Sequence, residues 1–348
     1  MRIPNLADLA GEVEQRLGGS SRRGLSPDLA GAIPQADTLV LVLFDGLGVA
    51  QLDHDAAATF RSSQVGVLAS SFPTTTSVAL ASMVTAQDPG EHGLIAHLMY
   101  HPETDRVVNT LKWVDLTGAL VTWDYASVLP RPNLWERLGA AGVEPMTVQP
   151  GSFLGTPLSR LLYRGARFEP AWTEEELIDA TISLAAVPGR LIFTYVPPVD
   201  VAGHVHGLGS EEFTDAVRYA ARVWDQIRAR LPSGVALIGT ADHGLIEYPP
   251  EQKTLIRDGR FDSLRFAGDP RGLHVWGEDG LISEFARTVD SEVVDPASLF
   301  GVRHPTMGEG LVLAPPGRVL LPPGFDKRLL CYHGGLDPAE VEVPLLVG

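Results

Sequence analysis

Hydroxyl and chelating side chains recur in this chain at a few separated places. In Ser70-Ser71-Phe72-Pro73-Thr74-Thr75-Thr76-Ser77, hydroxyls crowd the point where the apolar run Val65 to Leu68 gives way to a small-residue stretch, Val78 to Ala86. If that stretch is a helix, its first turn carries N–H groups with no intrahelical acceptor, a natural seat for an anion such as phosphate. Ser and Thr are also the usual N-caps, and one of these hydroxyls is expected to act as one. Three further clusters are Asp200-Val201-Ala202-Gly203-His204-Val205-His206-Gly207, Thr240-Ala241-Asp242-His243-Gly244 and Cys331-Tyr332-His333-Gly334-Gly335, and Asp45-Gly46-Leu47-Gly48 adds a third carboxylate-bearing turn to the two that hold Asp200 and Asp242. Carboxylate and neutral imidazole are the natural ligands of zinc and similar divalent ions. In Asp200-x-x-x-His204 the second group can reach back toward the first, and Asp242-His243 presents two from one turn. A hydroxyl at a helix start beside two such cations is equipped for phosphoryl transfer. One cation lowers the pKa of the attacking oxygen, the other stabilises the leaving oxygen or activates water, and both neutralise the non-bridging oxygens.

These residues need rigid elements to bring them together. Asp37 to Phe44, Arg190 to Val196 and Val235 to Gly239 are nearly continuous apolar runs that read as strands covered on both faces. Each hands an acidic residue (Asp45, Asp200, Asp242) to what would be one edge of a parallel sheet, where open α/β folds bind ligands. Val65 to Ala69 and Val341 to Val347 read as further strands. Thr173-Glu174-Glu175-Glu176 carries a capping-box signature and opens a helix to Ala186. Phe213, Val217, Ala220, Val223, Trp224, Ile227 and Leu231 form one apolar helical stripe. The expected fold is therefore α/β, a doubly wound, mostly parallel central sheet with helices on both faces. Residues 1–348 are expected to form a single catalytic domain, with a small α/β insertion at about 249–310.

Composition narrows the function. With 348 residues and 45% apolar content the chain can bury a large core. A net charge of −16 and a pI near 5.0 argue against a general binder of nucleic-acid polymers, which needs a basic surface. An acidic protein that handles phosphates needs local positive charge, and bound metal ions can supply it. The lone Cys331 excludes an internal disulfide and any Cys-rich metal site, and reads as a small buried residue. Leu6, Leu9, Val13 and Leu17 suit an amphipathic helix rather than a signal peptide. No apolar run approaches membrane-spanning length, so a cytoplasmic location without membrane contact is expected.

Pro73-Thr74-x-Thr76, Asp200-x-x-Gly203-His204-x-His206-Gly207, Thr240-x-Asp242-His243-Gly244 and His333-Gly334-Gly335 occur in this order. From about Leu39 to Val347 the chain thereby resembles the alkaline phosphatase superfamily, and within it the type I phosphodiesterase and nucleotide pyrophosphatase branch. The resemblance implies two divalent metal ions, Zn2+ by family habit, one held by Asp200, His204 and His333 and the other by Asp45, Asp242 and His243. It implies Thr76 as a nucleophile that forms a covalent intermediate, with Thr74 and Thr75 as alternatives. The implied substrate is a small phosphodiester or phosphoanhydride, a nucleotide or a related diester. Where family diesterases have a phosphate-contacting Asn this chain has His97, and where they have Thr-Gly near the helix end it has Thr85-Ala86. The sulfatase hallmark Cys-x-Pro-x-Arg is absent, and no phosphate-clamping Arg or third metal site of the monoesterases is identifiable, which favours a diester or pyrophosphate. A phosphomonoesterase or phosphonate hydrolase on the same site is the alternative enzyme. A non-catalytic nucleotide- or metal-binding protein on this scaffold is the alternative of another class.

Overall fold

In the computed structural model, which describes residues 3–123 and 125–348 but not the side chains of 125 and 126, every residue of the strand Thr38–Phe44 is buried. A strand reaches that state only with a partner on each edge and a layer on each face. Its edges are taken by Arg190–Val196 and Val235–Thr240, both parallel, with Leu41 opposite Phe193 on one side and Ile238 on the other. The full sheet runs Gln64–Ala69, Glu342–Val347, Val235–Thr240, Thr38–Phe44, Arg190–Val196, Glu144–Pro150, Arg167–Ala171. Only the C-terminal strand Glu342–Val347 is antiparallel to its neighbours, wedged between two strands of common direction.

Adjacent residues of one strand show the two faces. Phe193 packs at ring-centroid distances of 5.8 Å against both Trp135 and Tyr163, whereas Thr194 shares a 2.9 Å hydrogen bond with Thr181. One layer therefore contains the helices Leu134–Ala140 and Pro157–Leu162 together with Leu6–Arg16 and Thr76–Thr85, and the other contains Glu174–Ala185 and Glu211–Arg230. The stripe foreseen on Glu211–Arg230 is buried from Phe213 to Ile227, and its Trp224 meets Phe44 and Phe60 while donating to Ser63 Oγ at 3.0 Å. The helix Glu174–Ala185 is capped by the Thr173 side chain, but Glu176 accepts from the Trp172 amide at 2.7 Å instead of closing a capping box.

A second seven-stranded sheet, antiparallel throughout, runs Val293–Val294, Gly310–Leu313, Gly272–Trp276, Arg265–Asp269, Leu98–His101, Arg106–Asn109, Val114–Asp115. The stretch 249–310, read as a small α/β insertion, supplies part of this layer. Residues 98–115, whose turn-rich composition hid their strands, build the rest through the Gly268–Leu98 pairing. The helix Asp279–Thr288 covers it, with Phe285 against Phe261 and Phe266.

The helix Thr76–Thr85 is buried along its whole length and ends on Ala86, whose φ of 55° lies in the left-handed region. A Cβ in that conformation costs about 1–2 kcal/mol, and this is the site of the Ala-for-Gly departure noted above. Ala86→Gly is therefore expected to stabilise the fold by about 1 kcal/mol, read as a raised urea midpoint at unchanged slope.

Candidate metal and phosphoryl-transfer centre

Asp45 follows the end of the strand Thr38–Phe44, and the next residue, Gly46, turns the chain at φ +73°. A Cβ on Gly46 would lie 2.9 Å from Asp200 Cα, so glycine is needed both for the turn and for the close approach of the Asp200 backbone. The Asp200 amide donates to Asp45 O at 3.1 Å, and the Gly46 amide donates to Asp242 Oδ1 at 3.1 Å. Three loops from three strand ends are thereby stitched together, with Asp200 and His204 one turn apart on the short helix Pro198–His206.

Around this junction the six predicted chelating residues converge. His204 Nε2 lies 3.2 Å from Asp200 Oδ1 and 3.2 Å from His333 Nε2, and His333 Nε2 lies 3.8 Å from the same Asp200 oxygen. His243 Nε2 lies 3.6 Å from Asp45 Oδ1 and 3.4 Å from Asp242 Oδ2, and its ring stacks on His333 at 3.7 Å. Asp45, Asp242 and His243 group closely enough to share one cation; Asp200 and His333 form a second group that also includes His243. His206, by contrast, points to Glu212 at the surface. His92 is buried against Ser82 Oγ, and His274 is buried with its Nδ1 accepting from the Gly308 amide.

The donor chemistry fits divalent cations. Each of the three imidazoles has its Nδ1–H committed to a backbone carbonyl: His204 to Cys331 O at 2.7 Å, His333 to Thr74 O at 2.6 Å, His243 to Gly244 O at 3.2 Å. That fixes ring orientation and turns three Nε2 atoms inward, the arrangement by which metal-binding histidines are held. Asp45 Oδ1, Asp200 Oδ1 and Asp242 Oδ2 are buried and lack a hydrogen-bond partner among the described residues. Buried carboxylate oxygens are otherwise nearly always paired. The site's electrostatics call for positive charge: burial, then the neighbouring Asp242 and Asp200, push the Asp45 carboxyl well above the carboxylate range. At Asp200 burial works upward but is outweighed by His204, His333 and His243, leaving it below that range, and Asp200 in turn lifts His204 to about 9 against burial. Burial, then the nearby His243 and His204, hold His333 far down in its neutral form.

Thr76, the first residue of its helix, has its Oγ1 3.2 Å from His243 Nε2. Thr75 occupies the N-cap position, yet its hydroxyl does not cap the helix; it bonds to Asp269 instead. Thr74 Oγ1 is spent on the Gly334 amide and Gly335 O. Of the three threonines considered, only Thr76 turns its hydroxyl to the chelating cluster. His97 lines the same cavity of about 550 Å3 as Thr76. Asn109 Oδ1 accepts the amides of Leu111 and Lys112, so its Nδ2 faces His97 Nε2 at 3.1 Å and leaves the imidazole neutral, with Nδ1–H as its donor. Burial, with the positive fields of His204 and Lys112, pushes this imidazole down to about 4.

Three residues of the centre were not foreseen. Tyr195 donates its hydroxyl to Asp45 Oδ2, and burial beside that carboxylate keeps the phenol protonated. Asp269 accepts the His97 amide at 3.2 Å as well as the Thr75 hydroxyl, and burial raises its carboxyl to about 7. It lies against Gly334, where a Cβ would stand 2.6 Å from Asp269 Cβ. Asn109 is the third. Tyr195 could have been found from its alternation within RLIFTYV toward the acidic strand end. Asp269 and Asn109 belong to the second sheet and carried no motif.

A doubly wound sheet with an Asp/His centre facing a helix-start threonine defines a hydrolase of the alkaline phosphatase superfamily. More narrowly, the type I phosphodiesterase / nucleotide pyrophosphatase family model matches residues 39–265, and the chain belongs to that family of phosphoric ester hydrolases. Among solved structures, murine ectonucleotide pyrophosphatase/phosphodiesterase 5 is similar at a TM-score of 0.68 and 17% identity, over 88% of this chain and 87% of that one. An inactive threonine-to-alanine variant of that murine protein was solved in complex with AMP. Phosphonoacetate hydrolase from Sinorhizobium meliloti 1021, in complex with phosphonoacetate, is similar at a TM-score of 0.68 and 16% identity, over 94% of this chain and 92% of that one. At these identities the likeness is one of fold. No curated protein matches the chain by sequence. No helix among the described residues is long and apolar enough to cross a membrane.

Removing the Tyr195 hydroxyl should loosen Asp45. Tyr195→Phe is expected to weaken divalent-metal binding about 10–100-fold with the fold intact, measured by competition with a chromophoric chelator. An unchanged affinity would show that the phenol does not orient this carboxylate.

Proposed function

We propose that the protein is a two-metal hydrolase of phosphodiester or phosphoanhydride bonds that works through a covalent intermediate on Thr76. The observation that carries this reading is the Thr76 hydroxyl 3.2 Å from His243 Nε2, beside three buried carboxylate oxygens without partners. Asp200, His204 and His333 would hold one cation and Asp45, Asp242 and His243 the other, with zinc the ion best suited to this mixture of imidazole and carboxylate. Such cations, when bound, supply Lewis acidity at the phosphoryl oxygens and lower the pKa of an attacking oxygen.

The chain's own residues set the rest. Thr76 Oγ attacks phosphorus in line; the bond from phosphorus to the leaving oxygen breaks with its electron pair, and the threonine proton is lost to solvent. Water then attacks the same phosphorus and returns the hydroxyl to Thr76. His97, neutral and held by Asn109, offers Nδ1–H to a non-bridging oxygen. Asp269 keeps the His97 loop and the Thr75 cap in register with one another. The complete set of chelating residues counts against a decayed, non-catalytic scaffold.

Thr76→Ala is expected to lower kcat on a nitrophenyl nucleotide diester by on the order of 10^3-fold or more while leaving bound metal unchanged. The check is steady-state kinetics alongside elemental analysis of the purified protein. Retained turnover in this variant, or a protein that takes up no divalent metal, would overturn the reading.

A further inference from the structure

Aspartates outnumber lysine and arginine in the lining of the cavity that holds Thr76. Asp115, Asp200, Asp269 and Asp326 line it, and Lys112 is the one Lys or Arg to do so among the described residues. Only three of the chain's 27 Lys and Arg residues are lysines, Lys112, Lys253 and Lys327. Of these only Lys112 lines the cavity; Lys253 Nζ donates to the cavity-lining Leu329 O at 2.6 Å from outside it. Arginine instead makes the ion pairs that brace the scaffold, as in Arg137–Glu14, Arg164–Glu136 and Arg271–Glu340. Its planar fork suits fixed pairing, whereas the lysine ammonium is a compact point charge on a mobile stem.

Lys112 is exposed, and among the described residues no ion pair holds it. Its backbone is nonetheless fixed. Asn109 accepts the Lys112 amide at 3.1 Å while donating to His97 at 3.1 Å, so one asparagine locks the lysine and the imidazole to the same turn. After burial and His204 the lysine's charge helps to keep His97 neutral, and after Arg328 it helps to keep Asp326 ionised. A free cation on a positioned stem, in a cavity of about 550 Å3, has room to meet a group well beyond a single phosphoryl.

Resting on the assignment of Thr76 as the attacking residue, we infer that Lys112 binds a second compact anionic group of the substrate, a phosphate or a carboxylate, beyond the phosphorus attacked. Lys112 is thus a specificity-determining residue. It biases the enzyme toward phosphoanhydrides or phosphonocarboxylates and away from esters with a neutral leaving group. The attraction acts across a solvent-exposed gap, so its share of binding weakens with ionic strength.

The test compares metal-supplemented wild type, Lys112→Gln and Lys112→Arg on a nucleoside triphosphate, on phosphonoacetate and on a nitrophenyl nucleotide. In Lys112→Gln the ratio of kcat/KM for an anion-bearing substrate to that for the aryl ester is expected to fall about 10-fold or more, chiefly through KM, with partial recovery in Lys112→Arg. Whichever of the triphosphate and phosphonoacetate shows the fall identifies the second anion. An equal loss on all three substrates, or no loss on either anionic one, would overturn the assignment. Calorimetric titration with pyrophosphate and orthophosphate separates this inference from the catalytic reading, because it needs no turnover. Lys112→Gln should lose about 10-fold in pyrophosphate affinity relative to orthophosphate, and equal affinities in wild type and variant would refute the role whatever Thr76→Ala does.

Discussion

Three carboxylates, Asp45, Asp242 and the half-buried Asp200, come together at the centre, each with a buried oxygen that lacks a hydrogen-bond partner among the described residues. Burying a carboxylate costs several kcal/mol even after relaxation, and neighbouring like charges add to it. The fold tolerates this because the strands that end there are almost wholly apolar. Each fully buried Leu, Val or Phe of Thr38–Phe44 contributes about 1.5–3 kcal/mol relative to exposure. The core thus holds the acidic loops in place, while the charge they concentrate is left for something positive to neutralise. His333, held neutral by burial, cannot do this, and His204, lifted to about 9 beside Asp200, offsets one carboxylate of the three.

The second constraint joins the two layers. Nothing in the central sheet requires the antiparallel sheet, yet Asp269 at the end of one of its strands touches three pieces of the centre at once. It receives the Thr75 hydroxyl at the start of the Thr76 helix and the amide of His97, and it abuts Gly334 beside His333. A single buried carboxyl therefore sets the distance between the helix start, the wall that carries His97 and the loop that carries His333. The Thr75 hydroxyl would otherwise cap its own helix. Spending it on Asp269 leaves the first turn without a side-chain acceptor from its cap residue, a condition that favours an anion there.

What was legible in the sequence follows from where information is local. Apolar runs and strand-end acids revealed the central strands with Asp45, Asp200 and Asp242 at their ends, while the full set of six candidate ligands, His333 among them, came from the ordered motifs of the family resemblance. The stripe on Glu211–Arg230 and the cap at Thr173 could also be read from local pattern. The antiparallel sheet could not: Leu98–His101 and Arg265–Asp269 are short, turn-bounded and far apart in the chain, and they meet through a pairing that no local pattern encodes. Asn109 and Asp269 were missed with it, since their importance lies in which distant backbone they grip. The choice among Thr74, Thr75 and Thr76 was equally non-local. The first two hydroxyls are committed to Gly334, Gly335 and Asp269, partners that only the folded chain brings near.

The division between the layers also separates two kinds of chemistry. The central sheet provides the floor, oxygen-rich and built to concentrate positive charge. The antiparallel sheet provides the facing wall, where His97, Asn109 and Lys112 present nitrogen to the same cavity. A phosphoryl group between them meets cation-seeking carboxylates on one side and hydrogen-bond donors on the other, an asymmetry that orients it before any bond changes. The floor is made by strand ends and the wall by a hairpin, so His97, Asn109 and Lys112 face the cavity without belonging to the carboxylate and imidazole groups that could share a cation. The exchange of the family's asparagine for His97 falls on this wall: the amide donor is replaced by an imidazole whose tautomer Asn109 must hold.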